Sequence, residues 1–275
     1  MSANDSTHPS GNIAWSLDEL GQGLTAKRLG GKFHYFAELA STNIHARQLA
    51  ESGAAEGEIV IAESQSQGRG RLGRRWQSPP FVNLYFSVIL RPKLAPAAAP
   101  QITLMAAVAL AETIDSFIGP AAGIKWPNDI LVDGKKLAGI LTEASCDSER
   151  LHYVILGIGV NLNYAIELMP EEIRERATSI AHLTGKPVRR ESFLRRLIQD
   201  LDRCYGELEL SGFAALARRW QAHFSLPDRR VRVELLGQVI VGWARGIDRD
   251  GALLVEDDFG VLQRVIAGDV IPLEN

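Results

Sequence analysis

The run Gln65-Ser66-Gln67-Gly68-Arg69-Gly70-Arg71-Leu72-Gly73-Arg74-Arg75-Trp76 packs four arginines and three glycines into twelve residues and closes on a tryptophan. Glycines remove side-chain bulk, so main-chain N–H groups can approach a ligand closely. Arginines add forked, permanently charged donors matched to carboxylate and phosphate. In a chain of net charge −3, such a loop suits the capture of an anion. Two other readings stand beside it: a solvated basic face, and a nucleic-acid contact. The flanks favour the anion site. Apolar strand patterns precede the loop (Glu58 to Ala62) and follow it (Asn83 to Leu90), which strings it between two expected core strands.

Three more polar constellations accompany the loop. Ser41-Thr42-Asn43 opens a helix expected to run to about Ser52, and short polar side chains there serve either as a cap or as ligand contacts. Lys125-Trp126-Pro127-Asn128-Asp129 places polar groups at the start of an otherwise strand-like segment reaching Val132. Asp133-Gly134 then signals a tight turn, and Lys136 to Glu143 reads as the return strand of a hairpin. Its start is unusual, because Pro127 cannot donate to a ladder. Gly157-Ile158-Gly159-Val160-Asn161 ends a buried strand; it lacks the third glycine and the strand–turn–helix setting of a dinucleotide fingerprint. Gly185-Lys186 is followed by Pro187 and forms no Walker A segment. No zinc-type His/Cys spacing occurs.

The elements that must position these residues alternate. Helices are expected at about 16–24, 101–118, 190–210 and 213–223, and a further strand at 33–39. Phe193, Leu197, Leu201, Tyr205 and Leu208 share one helical face and read as core. Beyond Pro227-Asp228 the chain turns to short alternating strands, at 230–236, 239–248, 252–256 and 262–266, which suggests a small SH3-like barrel. The fold class is therefore α+β. Residues 15–226 are expected to form a catalytic domain, 227–275 the SH3-like domain, and 1–14 a disordered, polar N-terminus. Hydrophobic residues make up 46% of the chain, enough for a sizeable core. Two distant cysteines, no apolar leader and no uninterrupted apolar run of membrane-spanning length point to a soluble, cytoplasmic protein. No nucleic-acid or membrane partner is expected.

In order and spacing, these motifs resemble bacterial biotin–protein ligase (biotin–[acetyl-CoA-carboxylase] ligase), from about residue 33 to the terminal barrel. The family's segments are matched by Ser41-Thr42-Asn43, the Arg/Gly loop, Lys125-Trp126-Pro127-Asn128-Asp129, Lys136-Leu137-Ala138-Gly139-Ile140-Leu141 and Gly157-Ile158-Gly159-Val160-Asn161. The resemblance implies a class II synthetase-like mixed sheet flanked by helices. It implies activation of biotin by ATP and Mg²⁺ to biotinyl-AMP, then transfer to a lysine of a biotin carboxyl carrier protein domain. Ser41, Thr42, Asn43 and Gln65 would line the ureido end of biotin. Arg69, Gly70, Arg71, Lys136 and Gly139 would meet its carboxylate end, with Arg69, Arg71 and Lys136 catalytic. Arg71, Trp76, Asn128 and Asn161 would hold the adenylate, and Asp129 a Mg²⁺ ion. Lys125 would reach phosphate or stay structural. Leu72 stands where some members carry another arginine.

A lipoate ligase shares this fold, but its Arg-Arg-x-x-Gly-Gly-Gly pattern is absent. Some members carry a DNA-binding domain in front; here about 40 residues precede Ser41, so a monofunctional ligase without operator binding is expected. A recurring docking mode in the family is strand addition, and the same sheet edge is open to self-pairing into a homodimer.

Overall fold

The computed structural model describes residues 15–235 and 238–273. The segment expected to be disordered, 1–14, lies outside them. Among the described residues the chain runs α1 (Leu17–Gly21), β1 (Lys32–Leu39), α2 (Thr42–Glu51), β2 (Glu58–Gln65), β3 (Leu84–Leu90), α3 (Ala99–Ile118), β4 (Gly123–Lys125), β5 (Asp129–Val132), β6 (Lys135–Cys146) and β7 (Leu151–Val160). Then follow α4 (Glu171–Arg174), α5 (Ile180–Thr184), α6 (Arg190–Ser211) and α7 (Ala214–Ala222). The chain ends in β8 (Arg230–Leu235), β9 (Gln238–Ile247), β10 (Leu253–Glu256), β11 (Leu262–Val265) and β12 (Asp269–Pro272).

The first seven strands form one mixed sheet in the order β1-β2-β3-β7-β6-β5-β4. Only β1 and β2 pair in parallel, because α2 carries the chain back between them. Each strand's period of two sends alternate residues to opposite faces. On β2, β3, β6 and β7, residues such as Ile59, Ile61, Phe86, Ile140 and Ile158 face the main core beneath α3 and α6. Val60, Ile89 and Ile155 face the other way and pack under Ala46 and Ala50 of α2. The expected stripe on α6 is buried throughout. The apolarity and length of α3 would suit a membrane span, but most of it is buried in this core.

The last five strands make an antiparallel sheet, β11-β10-β9-β8-β12, consistent with an SH3-like domain. Its fifth strand, β12, was not among the expected four. Trp126 Nε1 donates to Gly251 O at 3.1 Å and joins the two parts of the molecule.

Two further expectations change. The strand expected from Ile124 to Val132 is split into β4 and β5, which pair antiparallel around a turn at 126–128. Pro127 has no N–H for a ladder, and Asn128 N closes the turn onto Lys125 O at 3.2 Å. The expected hairpin is thus a three-stranded meander. The helix opened by Ser41 has no side-chain cap bond; Ser41 is buried instead.

Candidate active site

The face of the sheet that carries α2 is only half covered by it. Register places Tyr85, Gly159 and Gly139 side by side on three adjacent strands, with Ser87, Gly157 and Leu141 as the next row. Three glycines in this grid leave a floor of bare backbone. Neighbours use the space: a β-carbon at Gly157 would stand 1.9 Å from Asn43 Oδ1. One at Gly139 would stand 3.1 Å from Trp76 Cζ3 and 3.3 Å from Lys136 Cε. Here the absence of side chains is what lets other groups lie on the sheet.

At one end of this floor the start of α2 builds a buried polar cluster of hydroxyls and amides, with the Glu143 carboxylate at its margin. Gln65 Oε1 accepts from Thr42 N at 2.8 Å and from Thr42 Oγ1 at 3.2 Å. Ser87 Oγ donates to Asn43 Oδ1 at 2.7 Å, and Asn43 Nδ2 donates to Glu143 Oε2 at 2.8 Å. Ser41, Thr42, Asn43 and Gln65, separated by up to 24 positions, thus stand together. Short hydroxyls and amides of this kind suit a neutral ligand with its own donors and acceptors.

The Arg/Gly loop crosses above. It is not an open strap: Gly70 N bonds Arg74 O at 2.7 Å and Trp76 N bonds Gly68 O at 2.9 Å. Gly68 must lack a side chain, because a β-carbon would meet Trp76 O at 2.4 Å. The tip, Arg71–Gly73, is a single 3₁₀ turn in which Leu72 takes φ 56° and points to solvent. Trp76 returns onto the floor, and its Nε1 is buried with no acceptor among the described residues.

Arg71 is half-buried. Its Nη1 donates to Asn128 Oδ1 at 3.0 Å and its Nη2 to Gly268 O at 3.1 Å. Burial pushes the guanidinium below its ordinary value, against the pull of Asp269 and Asp129. Lys125 is likewise lowered by burial and supported by Asp129 and Asp269. Lys136 Nζ stands 2.7 Å from Asp129 Oδ1 and 5.4 Å from the centre of a Trp76 ring. The result is a cationic pocket rim above an uncharged floor, where a desolvated anion would be strongly favoured.

The structure brings Arg71, Trp76, Asn128, Asp129, Lys136 and Gly139 to one place. Arg69 lies apart from them, 3.3 Å from Glu143. Asn161 is tied into the wall: its Nδ2 donates to Thr178 O at 3.1 Å and its Oδ1 accepts from Asn83 at 3.2 Å. Sequence reasoning did not single out Ser87, Glu143, Gly268 or Asp269. A polar residue inside each apolar run was the available signal for Ser87 and Glu143. None existed for Asp269, which meets the loop from 195 positions away. Among the described residues, no cluster of three or more His, Cys, Asp or Glu could hold a metal ion by itself.

Comparison with known proteins gives this arrangement a family. The biotin/lipoate A/B protein ligase family matches residues 35–161, and the biotin protein ligase C terminal domain matches residues 228–271. The biotin–[acetyl-CoA-carboxylase] ligase of Paracoccus denitrificans is 36% identical over 236 residues, covering 82% of this chain and 94% of that protein. The bifunctional ligase/repressor BirA of Bacillus subtilis is 34% identical over 255 residues, covering 93% of this chain and 78% of that protein. The structure of biotin protein ligase from Aquifex aeolicus in complex with biotin and ATP aligns with a TM-score of 0.76 at 26% identity, covering 90% of this chain and 100% of that one. A mixed sheet with a bare floor, a terminal five-stranded sheet and relatives of this identity lead to one conclusion: the chain belongs to the biotin protein ligase family.

Proposed function

We propose that this chain activates biotin with ATP and transfers it to the target lysine of a biotin carboxyl carrier protein domain. A carboxylate oxygen of biotin attacks the α-phosphorus, the bond to pyrophosphate breaks, and biotinyl-5′-AMP forms. The lysine amine then attacks the acyl carbon, AMP leaves, and the ammonium proton passes to solvent. No general base is needed for the first step, since a carboxylate is already ionised at neutral pH. What the protein must do is cancel repulsion between two anions and stabilise charge growing on phosphate oxygens.

The observation that carries this reading is Arg71, half-buried and hydrogen-bonded to two neutral oxygens, with Asp129 and Asp269 acting on it only through space. It would bridge the biotin carboxylate and the α-phosphate, with Lys136 beside them, while Arg69 stays on Glu143. Ser41, Thr42, Asn43 and Gln65 would hold the ureido ring. Trp76 and Asn128 would contact the nucleotide, with Asn161 shaping that wall. A Mg²⁺ ion brought by the ATP phosphates needs few protein ligands, and Asp129 is the carboxylate beside the rim that fits it. The ion would supply charge neutralisation. Residues 15–226 would be the catalytic unit and 227–275 the SH3-like unit. The carrier would add a strand at the β1 edge of the large sheet, an edge that a second copy could also take; the outer side of β4 is already met by residues 223–225, with Ile124 N on His223 O at 2.6 Å and Ser225 N on Ile124 O at 3.0 Å.

Incubation with biotin, MgATP and an apo-carrier domain, followed by mass spectrometry of the carrier, tests the reading. A biotin-sized mass gain is expected. A gain with lipoate and none with biotin overturns it. Operator binding is not part of the proposal, which rests on the ligase fold and its site alone. A specific gel shift on the promoter of its own operon would reverse that part.

A further inference from the structure

The guanidinia of the Arg/Gly loop are not equivalent. Arg69 Nη1 lies 3.3 Å from Glu143 Oε1, on β6. Arg74 pairs with Asp269, the first residue of β12 in the other sheet. Arg71, between them in sequence, meets only Asn128 Oδ1 and Gly268 O. The loop is therefore tied to one carboxylate on each side of its tip, and each carboxylate belongs to a different sheet.

We infer that Glu143 and Asp269 are positioning residues, two clasps that hold the loop shut and thereby set Arg71 over the site. The other restraints on this segment are neutral: a few backbone bonds, the bonds of Arg71 to Asn128 and Gly268, and the seat of Trp76 on the glycine floor. Its tip is exposed at Leu72, its own backbone bonds are few, and its glycines leave many open conformations. The Glu143 clasp is preorganised. Glu143 is already fixed by Arg47 Nη2 at 2.7 Å and by Asn43 Nδ2 at 2.8 Å. Asp269 lies in the field of Arg71 and Lys125 as well as Arg74. A carboxylate held by other donors loses less freedom when one more arginine arrives, so the pair retains more of its Coulomb gain.

The division of labour follows from charge. A loop whose every arginine was ion-paired would have to break a pair before taking an anion. Here two pairs secure the backbone, and the guanidinium between them keeps neutral partners that an anion can replace without releasing a buried carboxylate. Glu143 also continues into the polar cluster through Asn43 and Ser87. Filling that cluster would therefore firm the clasp on Arg69 and, through it, the loop.

This inference rests on the proposed role of Arg71, but its test does not need substrate. Hydrogen–deuterium exchange of peptides spanning 66–78 is measured on the full unliganded chain, for wild type, Glu143→Gln, Asp269→Asn and the double variant. Each single variant is expected to exchange about five-fold faster in the loop, the double more, with β3 and β7 peptides unchanged. Arg74→Gln removes the same clasp from the exposed side, where no core packing is at risk, and should match Asp269→Asn. Combining Arg74→Asp with Asp269→Arg should restore slow exchange. Unchanged loop exchange in the double variant overturns the inference. So does a loss of adenylate formation without faster exchange, since that would make the carboxylates direct contacts of substrate. A chain that shows clasp-dependent exchange yet no biotin transfer would retain the clasps and lose the proposed function.

Discussion

The indole of Trp76 rests on Gly159: a β-carbon there would stand 2.6 Å from Cε2 and 2.7 Å from Nε1. The contact joins the most mobile type of element, an Arg/Gly loop, to the middle of the sheet. Gly159→Ala should therefore lift Trp76 rather than disturb β7, because the loop yields before the core does. Biotin affinity is expected to fall about ten-fold or more, roughly 1.4 kcal/mol. Stability should fall by no more than about 1 kcal/mol. Isothermal titration with biotin and a thermal melt separate the two, and a large loss of stability with unchanged affinity would refute the seating of Trp76.

Arg71 donates through two nitrogens to two different acceptors, Asn128 Oδ1 and Gly268 O. A lysine cannot reproduce that fork. Arg71→Lys and Arg71→Ala should both slow adenylate formation roughly 10²-fold, the range for losing one preorganised donor at developing charge. Pyrophosphate release in the absence of carrier measures this step alone. Full activity in Arg71→Lys would reduce the residue to a simple positive charge.

The buried pair of Glu63 and Arg190 lies outside the site and predicts a stability effect alone. Arg190 Nη1 reaches Glu63 Oε2 at 2.7 Å and Nη2 reaches Oε1 at 3.1 Å, with both side chains almost fully buried. Glu63→Gln leaves the guanidinium without its carboxylate and should cost about 3–5 kcal/mol. Denaturant unfolding reads the loss, while biotin transfer per folded molecule should stay within two-fold or so of wild type.

Loop closure should depend on acid through Asp269. Burial alone would raise this carboxyl, but Arg74, Lys125 and Arg71 outweigh it and hold it below the ordinary range. A carboxyl depressed in the folded state contributes stability that is present above its unfolded value, about 3.9, and lost as pH falls through the lower folded value. The loop should thus stay protected down to about pH 4 and open below it. Trp fluorescence through that window checks this, with Asp269→Asn expected to remove the transition.

Much of the scaffold was legible because local chemistry specifies it. Asp133 and Gly134 take φ 50° and 75°, as the tight turn they announce requires. The stripe on α6 is buried as its spacing demands. The residues of the polar cluster and of the loop are contiguous motifs, and the sheet register gathers them. What escaped was set by distance. β12 is only four residues long and ends in proline, so it offers almost no periodicity. The separation of β4 from β5 depended on how the chain turns at Trp126-Pro127, which alternation alone does not reveal. The different partners of Arg69, Arg71 and Arg74 arise from Glu143 and Asp269, side chains that no local pattern connects to the loop.

The glycine floor has one more consequence. A surface made of main chain has no side chains to exchange, so selection can only add bulk to it, and at Gly139, Gly157 and Gly159 added bulk strikes a neighbour. Preference among acyl groups of different size or shape must then be retuned from above, by the residues of the loop and the start of α2. The sheet acts as the fixed half of a mould, and the variable half is the one that opens.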